Sequence, residues 1–210
     1  MSKKSRNRES QGWLKEHLSD VYVKQAVQSG YRSRAVYKLA QIDARDRLFH
    51  SGMTVVDLGA APGGWSQWLK QRLQNQVRVF ALDILYMEPL PEVTFIQGDF
   101  REQVVLDNLL NQLGEHPVDL VMSDMAPNIS GLKAIDQPRA MLLAELARDL
   151  AYEVLASGGH LLTKVFQGEG FESYIKALRP HFKNVVIRKP EASRSRSAEV
   201  YVLAKHYVAK

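Results

Sequence analysis

Short apolar runs alternate along the chain with longer segments in which apolar residues recur at helical spacing. Strands are predicted at Thr54–Leu58, Arg78–Asp83, Val93–Gln97, Val118–Ser123, His160–Val165, Asn184–Arg188 and Glu199–Ala204. Helices are predicted between them at 64–74, 101–112, 137–156 and 170–180. Strands that alternate with helices are typical of a parallel sheet covered on both faces.

The end of the chain breaks this alternation. After Arg188 a segment rich in Ser, Arg and Pro leads directly into the last predicted strand, with no predicted helix between them. A strand that returns without a crossover helix pairs in the antiparallel direction. We therefore predict an α/β fold: a doubly wound, mostly parallel, seven-stranded sheet of Rossmann-like type with a last antiparallel strand.

The part of the chain before the predicted sheet is basic. Residues 1–12 carry charge without apolar periodicity, and we expect a disordered tail there. Residues 33–48 have helical spacing, which sets Lys38 on a face apart from the apolar positions. We expect residues 13–210 to form a single domain in which residues 13–50 are a basic helical extension.

The composition narrows the class of protein. Of the 210 residues, 45% are hydrophobic and 24% are charged, which is typical of a folded soluble protein. The chain has no cysteine, which excludes disulfides and thiolate metal sites and fits a reducing compartment. No apolar run approaches the roughly 20 residues that cross a bilayer, and the N-terminus lacks the apolar core of a secretory signal. We expect a cytoplasmic protein with no membrane partner and no metal, and a monomer because no dimerisation stripe is apparent.

The net charge of +5 is unevenly distributed. Residues 1–50 and residues 179–210 each carry a formal charge of +6, whereas residues 51–178 carry −7. Basic ends around an acidic centre favour a polyanionic partner held by the ends. Solvated basic tails would give the same balance, so the charge alone leaves both interpretations open.

Small or acidic residues follow four of the predicted strands. The first strand runs into the segment 57–65, Asp-Leu-Gly-Ala-Ala-Pro-Gly-Gly-Trp, whose small residues allow a tight turn and a close approach of the backbone to a ligand. The second ends at Asp83, 20 residues after Gly63, where an acidic residue typically binds the ribose hydroxyls of a nucleotide. The third and fourth lead to Asp99 and Asp124. Such strand ends meet at one edge of the sheet, so we expect a nucleotide cofactor there.

The sequence of the turn restricts the choice of cofactor. It is neither a G-x-G-x-x-G turn nor a P-loop, and no basic residue lies in it to bind a pyrophosphate. The carboxylates of Asp57, Asp83, Asp99 and Asp124 would repel a dinucleotide but attract a cationic sulfonium. This combination favours S-adenosylmethionine.

Lys164 lies between apolar neighbours at the end of the fifth predicted strand. Burial of a lysine favours the neutral amine, which can remove the proton from a hydroxyl nucleophile. A nearby Asp124 would instead favour the ammonium, which could orient a hydroxyl and stabilise a developing oxyanion. The sequence leaves both roles open.

Four blocks of sequence carry a resemblance to a known family. They are 57–65, Ser-Asp-Met-Ala-Pro-Asn at 123–128, Lys-Val-Phe-Gln-Gly-Glu-Gly at 164–170, and 188–201, which contains Arg-Lys-Pro and Ser-Arg-Ser-Arg-Ser-Ala-Glu-Val-Tyr. Together they resemble the FtsJ-type ribose 2′-O-methyltransferases, with a match from about Trp13 to Ala204. Within that family the chain looks most like the bacterial branch that modifies a uridine in the peptidyl-transferase region of 23S ribosomal RNA.

The resemblance implies a set of site residues and a partner. The Lys-Asp-Lys-Glu tetrad of the family falls on Lys38, Asp124, Lys164 and Glu199, and the second lysine is the usual proton acceptor. The expected cofactor contacts are Gly59, Gly63, Trp65, Asp83, Asp99 and Asp124. Candidate phosphate contacts are Arg32, Arg34, Arg194 and Arg196, each weak alone but sensitive to salt in sum. The implied partner is ribosomal RNA, with the assembled large subunit as the expected substrate.

Three other functions remain to be weighed. A methyltransferase that acts on a base amine usually has an Asp/Asn-Pro-Pro-aromatic turn, but the fourth strand here leads to Asp-Met-Ala-Pro-Asn without an aromatic residue. A nicotinamide oxidoreductase does not fit the turn or its carboxylates. A non-catalytic RNA-binding protein on the same scaffold would have no need for Lys164 and Glu199 together.

Overall fold

The strands lie where the hydrophobic pattern predicts them. In the computed structural model, which describes residues 20–194 and 197–209, four strands have the predicted bounds: β1 (Thr54–Leu58), β2 (Arg78–Asp83), β3 (Val93–Gln97) and β4 (Val118–Ser123). The other three are longer than predicted: β5 (Leu155–Phe166), β6 (Phe182–Arg188) and β7 (Glu199–Tyr207).

Six helices accompany these strands in the part of the chain that the structure describes. They are α1 (Val21–Gln28), α2 (Val36–Asp46), α3 (Gly64–Arg72), α4 (Gln103–Leu113), α5 (Lys133–Val154) and α6 (Phe171–Leu178). The hydrophobic pattern did not predict α1, because Val21 and Val27 are exposed and only Ala26 is buried. Asp20 caps this helix by accepting hydrogen bonds from the first N–H groups.

The seven strands form one sheet in the order β3-β2-β1-β4-β5-β7-β6. Strands β1 to β5 are parallel, and β7 is antiparallel to both of its neighbours, as predicted. The strand order reverses between β1 and β4. In such sheets ligands bind beyond the carboxyl ends of the strands at this reversal.

Helices cover both faces of the sheet. Alternate residues of β1 point to opposite faces, so Val56 packs in the layer of α4, α5 and α6, whereas Val55 packs with α2 and α3. Asp57 lies on the same face as Val55, and its carboxylate therefore points towards α3. No described helix is both long and apolar enough to cross a membrane.

Candidate active site at the carboxyl edge of the sheet

The turn between β1 and α3 requires glycine at two positions. Gly59 has φ +73°, and a Cβ there would lie 2.6 Å from Cγ of Met125, just beyond β4. Gly63 caps α3 with φ +101°, and a Cβ there would lie 2.8 Å from Sδ of Met87. The absence of side chains thus lets this turn lie close to the segments that follow β2 and β4.

Asp83 fastens this turn to the end of β2. Its Oδ2 accepts the N–H of Ala61 at 2.9 Å, and its Oδ1 accepts the N–H of Leu85 at 2.8 Å. A carboxylate has further lone pairs, so these bonds leave Asp83 able to accept from a ligand. The expected ribose contact is therefore also a structural element of the turn.

Asp57 is buried beneath the turn, where the hydroxyl of Ser66 donates to its Oδ2 at 2.7 Å. Burial is the largest cause that raises the pKa of Asp57, the bond from Ser66 opposes it, and the carboxylates of Asp124 and Asp83 add to the increase, so that the pKa is about 7. Three of the four predicted acidic residues thus interact electrostatically. Such a group of carboxylates favours a cationic ligand.

Asp99 makes a different set of contacts. Both of its carboxylate oxygens accept hydrogen bonds from the guanidinium of the exposed Arg101, which lowers the pKa of Asp99. Gly98, just before it, donates its N–H to the carbonyl of Asp83. Asp99 therefore lies beside the end of β2, with its carboxylate in an ion pair at the surface.

The four residues of the expected tetrad meet at one place. Nζ of Lys164 lies 3.2 Å from Oδ1 of Asp124 and also donates to the main-chain carbonyl of Asp124. Nζ of Lys38 lies 2.6 Å from Oε1 of Glu199 and 4.0 Å from Oδ1 of Asp124. Each of the four side chains is less than a fifth exposed. Two cations and two anions thus form one connected, partly buried network.

Strand register explains how three of these groups come together. Lys164 on β5 pairs directly with Tyr201 on β7, and Glu199 lies two residues from Tyr201 on the same face of the sheet. Asp124 follows β4, the other neighbour of β5, and its N–H bonds to the carbonyl of Leu58. The last, antiparallel strand is therefore essential to the site.

Helix α2 brings Lys38 to the same face. The indole N–H of Trp65 in α3 donates to the carbonyl of Ala35 at 2.8 Å, which fastens the start of α2 to α3. The ring of Trp65 also packs against the ring of Tyr201, with centroids 5.9 Å apart. Lys38 lies one turn of helix beyond Ala35 and so reaches Glu199.

Tyr201 belongs to the network, although the sequence did not predict a role for it. Its hydroxyl donates to Oδ1 of Asp124, and the ammonium of Lys38 lies 5.6 Å from the centre of its ring. Burial and the carboxylates of Asp124 and Glu199 raise the pKa of Tyr201 well above its usual value, so it remains a donor. The two-residue alternation from Glu199 along β7 was the signal that could have revealed it.

The network also determines the charge of Asp124. Burial alone raises the pKa of this carboxyl, but Lys164, Lys38 and the hydroxyl of Tyr201 together lower it below its ordinary value. Asp124 is therefore ionised at neutral pH. Lys164 faces two strong acceptors, this carboxylate and the carbonyl of the same residue.

Comparison with known proteins identifies the family. Residues 31–207 match the FtsJ-like methyltransferase family. The chain belongs to this family. A protein named Ribosomal RNA large subunit methyltransferase E from Hydrogenovibrio crunogenus is 58% identical over 96% of this chain and 98% of its own length. A protein of the same name from Alcanivorax borkumensis is 59% identical over 97% of this chain and 98% of its own.

A solved structure agrees with this assignment. A Plasmodium falciparum protein described as a ribosomal RNA methyltransferase aligns with a TM-score of 0.77 and 28% identity, over 86% of this chain and all of the other. The methyltransferase fold predicted from the sequence is thereby confirmed. Membership of this family also excludes the nicotinamide oxidoreductase.

Trp65 has a larger structural part in this FtsJ-like methyltransferase than its expected cofactor contact implies. Its side chain is only 3% exposed, and its indole N–H is bonded to Ala35. Its main-chain N–H belongs to the first turn of α3, where N–H groups have no partner within the helix. A cofactor contact through the backbone is therefore compatible with the buried ring.

A basic residue does lie beside the glycine turn, although the sequence places none within it. The guanidinium of Arg32 donates to the main-chain carbonyls of Pro62, Glu88 and Pro89 at 2.5–3.2 Å. Arg32, an expected phosphate contact, thus ties the turn to the segment after β2. Only the fold could show this, because the residues are 30 to 57 positions apart.

Arg34 is also engaged within the protein. It forms an ion pair with Asp20 at 2.9 Å and donates to the carbonyl of Ala192. It therefore joins the start of α1 to the loop between β6 and β7. Its side chain is 17% exposed, which leaves a small part of it accessible to a phosphate.

The loop between β6 and β7 borders the tetrad. The hydroxyl of Ser193 donates to Oε1 of Glu199 at 3.1 Å, and Lys189 donates to the main-chain carbonyl of Glu199. Arg194 follows Ser193 in this loop, whereas Arg196 lies outside the described residues. The expected tail at residues 1–12 lies outside them as well. Within the described residues, no group of three or more His, Asp and Glu side chains could hold a metal ion.

Proposed function

We propose that this protein transfers a methyl group from S-adenosylmethionine to a ribose 2′-hydroxyl of large-subunit ribosomal RNA. The observation that carries the proposal is the contact between Lys164 and Asp124, 3.2 Å apart at the carboxyl ends of β5 and β4, beside the reversal in strand order. The names of the two bacterial relatives support the choice of RNA. In the finer proposal the target is a uridine in the peptidyl-transferase region of 23S RNA, in the assembled subunit.

The chemistry of the turn fits the cofactor. Three interacting carboxylates, Asp57, Asp83 and Asp124, suit a sulfonium and its ammonium group. Ile84 and Leu85, each 63% exposed, follow Asp83 and offer an apolar surface for a purine ring. In this proposal the cofactor is held by Gly59, Gly63, Trp65, Asp83, Asp99 and Asp124. When bound, it supplies an electrophilic methyl group.

Lys164 acts as the proton acceptor in the proposed reaction. As the ribose oxygen takes up the methyl group, its proton would pass to the amine of Lys164, which would first have released its own proton to solvent. The ammonium that results donates to Oδ1 and to the carbonyl oxygen of Asp124, which stabilises it. The hydroxyl of Tyr201 donates to the same Oδ1 of Asp124.

The pair of Lys38 and Glu199 has a positioning role in this scheme. Their contact of 2.6 Å closes the network beside Asp124 and joins α2 to β7. Because the two charges compensate each other, the pair borders the ribose site at little cost in net charge. A ribosomal substrate implies a protein that works in the cytoplasm, and we propose that it acts as a monomer.

The experiment is methyl transfer from a labelled donor to large subunits that lack the modification. The wild type should produce one alkali-resistant linkage in the RNA, because a methylated 2′-oxygen cannot attack the neighbouring phosphate. Lys164→Ala should abolish transfer and leave cofactor affinity nearly unchanged. Label that remains on a base, or binding by the wild type without any transfer, would overturn the proposal.

Lys164→Arg separates the two possible roles of this residue. An arginine keeps the positive charge and donors but does not accept a proton at neutral pH. Loss of turnover in this variant therefore supports the proton acceptor, whereas substantial activity would support a cation that only orients the hydroxyl. Cofactor affinity, measured by calorimetry, should be close to wild type in both Lys164 variants.

A further inference from the structure

We propose that a cavity between α2 and α3, away from the tetrad, binds a nucleotide of the substrate RNA. In this proposal Arg47 and Arg72 contact phosphate, and Trp68 stacks on a base. The inference rests on the RNA substrate proposed above. It adds a second binding site that the tetrad and the glycine turn do not include.

The cavity has the size and the lining of a nucleotide site. Its volume is about 480 Å³, and it is open to solvent. Trp68 is half-buried in its wall and packs edge to face on Phe49, with ring centroids 5.6 Å apart. Phe49 is buried, so it supports Trp68 from behind. Aromatic side chains fixed in this way stack on the bases of single-stranded RNA.

Two arginines border the same cavity. Arg72 lies in the last turn of α3, and its side chain is 52% exposed. Arg47 directly follows α2 and is also exposed. Arg47 has φ +50°, which ends the helix and turns the chain at the rim. Guanidinium groups bind phosphate oxygens in a bidentate manner. Two of them beside an aromatic ring form the combination that binds a nucleotide without sequence preference.

Asp43, the acidic residue in the wall of the cavity, does not cancel the positive charge of the two arginines. Asp43 is 6% exposed, and its Oδ1 accepts the N–H groups of Leu48 and Phe49. Its other oxygen is 3.4 Å from Nε of Arg72, an ion pair at the longer end of the range. The carboxylate is therefore satisfied mainly by the backbone. Arg72 can turn its outer N–H groups to a phosphate without leaving Asp43 unpaired.

The cavity is connected to the tetrad along α2. A second cavity of about 350 Å³ lies on the other side of this helix, shares Ala44 with the first, and is bordered by Arg45 and Lys189. Lys189 donates to the main-chain carbonyl of Glu199. A line of cations thus leads from the first cavity to the loop beside the tetrad, with Glu191 as the acid on its rim.

The distance suits a continuous RNA strand. Lys38 and Arg47 are nine positions apart at the two ends of α2, which corresponds to about 13.5 Å along the helix axis. At about 100° per residue their side chains lie on opposite sides of the helix, so an RNA strand must also pass around its width of roughly 10 Å. A strand whose ribose lies beside Lys38 would reach the cavity within a few nucleotides. The second site would therefore increase affinity for RNA without contact to the reacting atoms.

The test uses a charge-neutralising double variant and a matched control. Arg47→Gln with Arg72→Gln removes both cations from the cavity, and Arg179→Gln with Lys183→Gln removes two exposed cations on the α6 and β6 side of the molecule. The cavity variant should raise the KM for RNA about tenfold with little change in kcat or cofactor affinity. Its plot of log affinity against log salt should flatten by about 1.4, the value for two phosphate contacts on a single strand.

Trp68→Leu tests the stacking contact separately. It should weaken RNA binding about tenfold but leave the salt dependence unchanged, because it removes no charge. If Trp68→Leu folds poorly, the double variant Arg47→Gln with Arg72→Gln still tests the site, since both arginines are exposed and their substitution should not prevent folding.

Each outcome separates this inference from the proposed function. If the cavity variant matches the control in RNA affinity and KM, the second site is wrong while the methyl transfer proposal stands. If the variant loses affinity only for assembled subunits and not for protein-free RNA, the cavity contacts a ribosomal protein and the inference is overturned. If the wild type neither binds RNA nor transfers methyl groups, both proposals fail.

Discussion

The hydroxyl of Tyr201 donates a hydrogen bond to the same oxygen of Asp124 that lies 3.2 Å from Nζ of Lys164. One carboxylate oxygen therefore links a neutral donor and a cation. The tyrosine ring is completely buried against Trp65, so the position of its hydroxyl is determined by packing. This relationship makes Tyr201 a positioning residue for the network.

Tyr201→Phe should lower kcat about tenfold, because it removes one hydrogen bond to a charged group while it keeps the ring. Cofactor affinity and the unfolding midpoint should change little. The measurement is single-turnover methyl transfer as a function of pH, compared with Tyr86→Phe, which changes an exposed tyrosine. A kcat and a pH profile equal to those of the wild type would show that Asp124 needs no third partner.

Asp83→Asn should weaken cofactor binding tenfold or more. The amide keeps only one acceptor oxygen, so either Ala61 or Leu85 loses its hydrogen bond and the glycine turn loosens. Calorimetric titration with the cofactor measures the effect, with Asp107→Asn on the exposed face of α4 as the control. An unaltered dissociation constant would remove Asp83 from the cofactor site.

Asp57→Asn should change how stability depends on pH. Burial raises the pKa of Asp57 to about 7, whereas an unfolded aspartate titrates near 4. Between about pH 4 and pH 7 the folded state holds a proton that the unfolded chain has released, so this residue makes stability fall as pH rises through that window.

The asparagine variant lacks this titration and still accepts the hydroxyl of Ser66. Urea unfolding of the variant should therefore show a smaller loss of stability between about pH 4 and pH 7. At the upper end of this window the variant should be more stable than the wild type, by at most roughly 4 kcal/mol. If the two proteins have parallel stability curves, Asp57 does not carry the proton.

Asp46→Asn should destabilise the protein and impair the site indirectly. Asp46 accepts two hydrogen bonds from Arg188, at 2.6 and 2.7 Å, and lies 3.3 Å from Lys205, so it fastens the end of α2 to β6 and β7. Loss of one partner of a buried pair costs about 3 kcal/mol. The hydrogen bonds from Arg188 lower the pKa of Asp46, so its contribution is present above pH 4 and is lost as the solution is acidified.

Chemical denaturation at neutral and acidic pH checks this expectation. Methyl transfer by Asp46→Asn should also fall, because Lys38 lies on the same helix, α2, that Asp46 fastens to the sheet. On α5 the exposed Asp149 pairs with the half-buried Arg148, and Asp149→Asn should have almost no effect on stability or on methyl transfer. Equal effects of the two substitutions would show that burial of Asp46 does not matter.

The local pattern of hydrophobic and polar residues was sufficient to predict most of the fold. Strands β1, β2 and β4 begin and end as predicted because nearly all of their residues are buried and they are bounded by polar or turn-forming residues, as at Gly59 and Asp83. The edge strand β3 also has the predicted bounds, although only Ile96 in it is buried. Strand β5 starts five residues earlier than predicted, at Leu155, since the pattern of α5 continues to that point without a break. Helix α1 was not predicted because it buries so little, with Ala26 as its only buried residue.

The sequence by itself determined the sheet, the glycine turn and the residue types that the site contains. It also predicted that acidic residues would follow successive strands, since parallel strands end at one edge. Only the tertiary structure decided which groups touch: Lys38 meets Glu199 across 161 positions, Tyr201 reaches Asp124, and Arg32 binds the glycine turn. Hydrophobic periodicity reports which face of an element is buried, whereas contacts between distant side chains depend on strand register and helix packing, which no local pattern encodes.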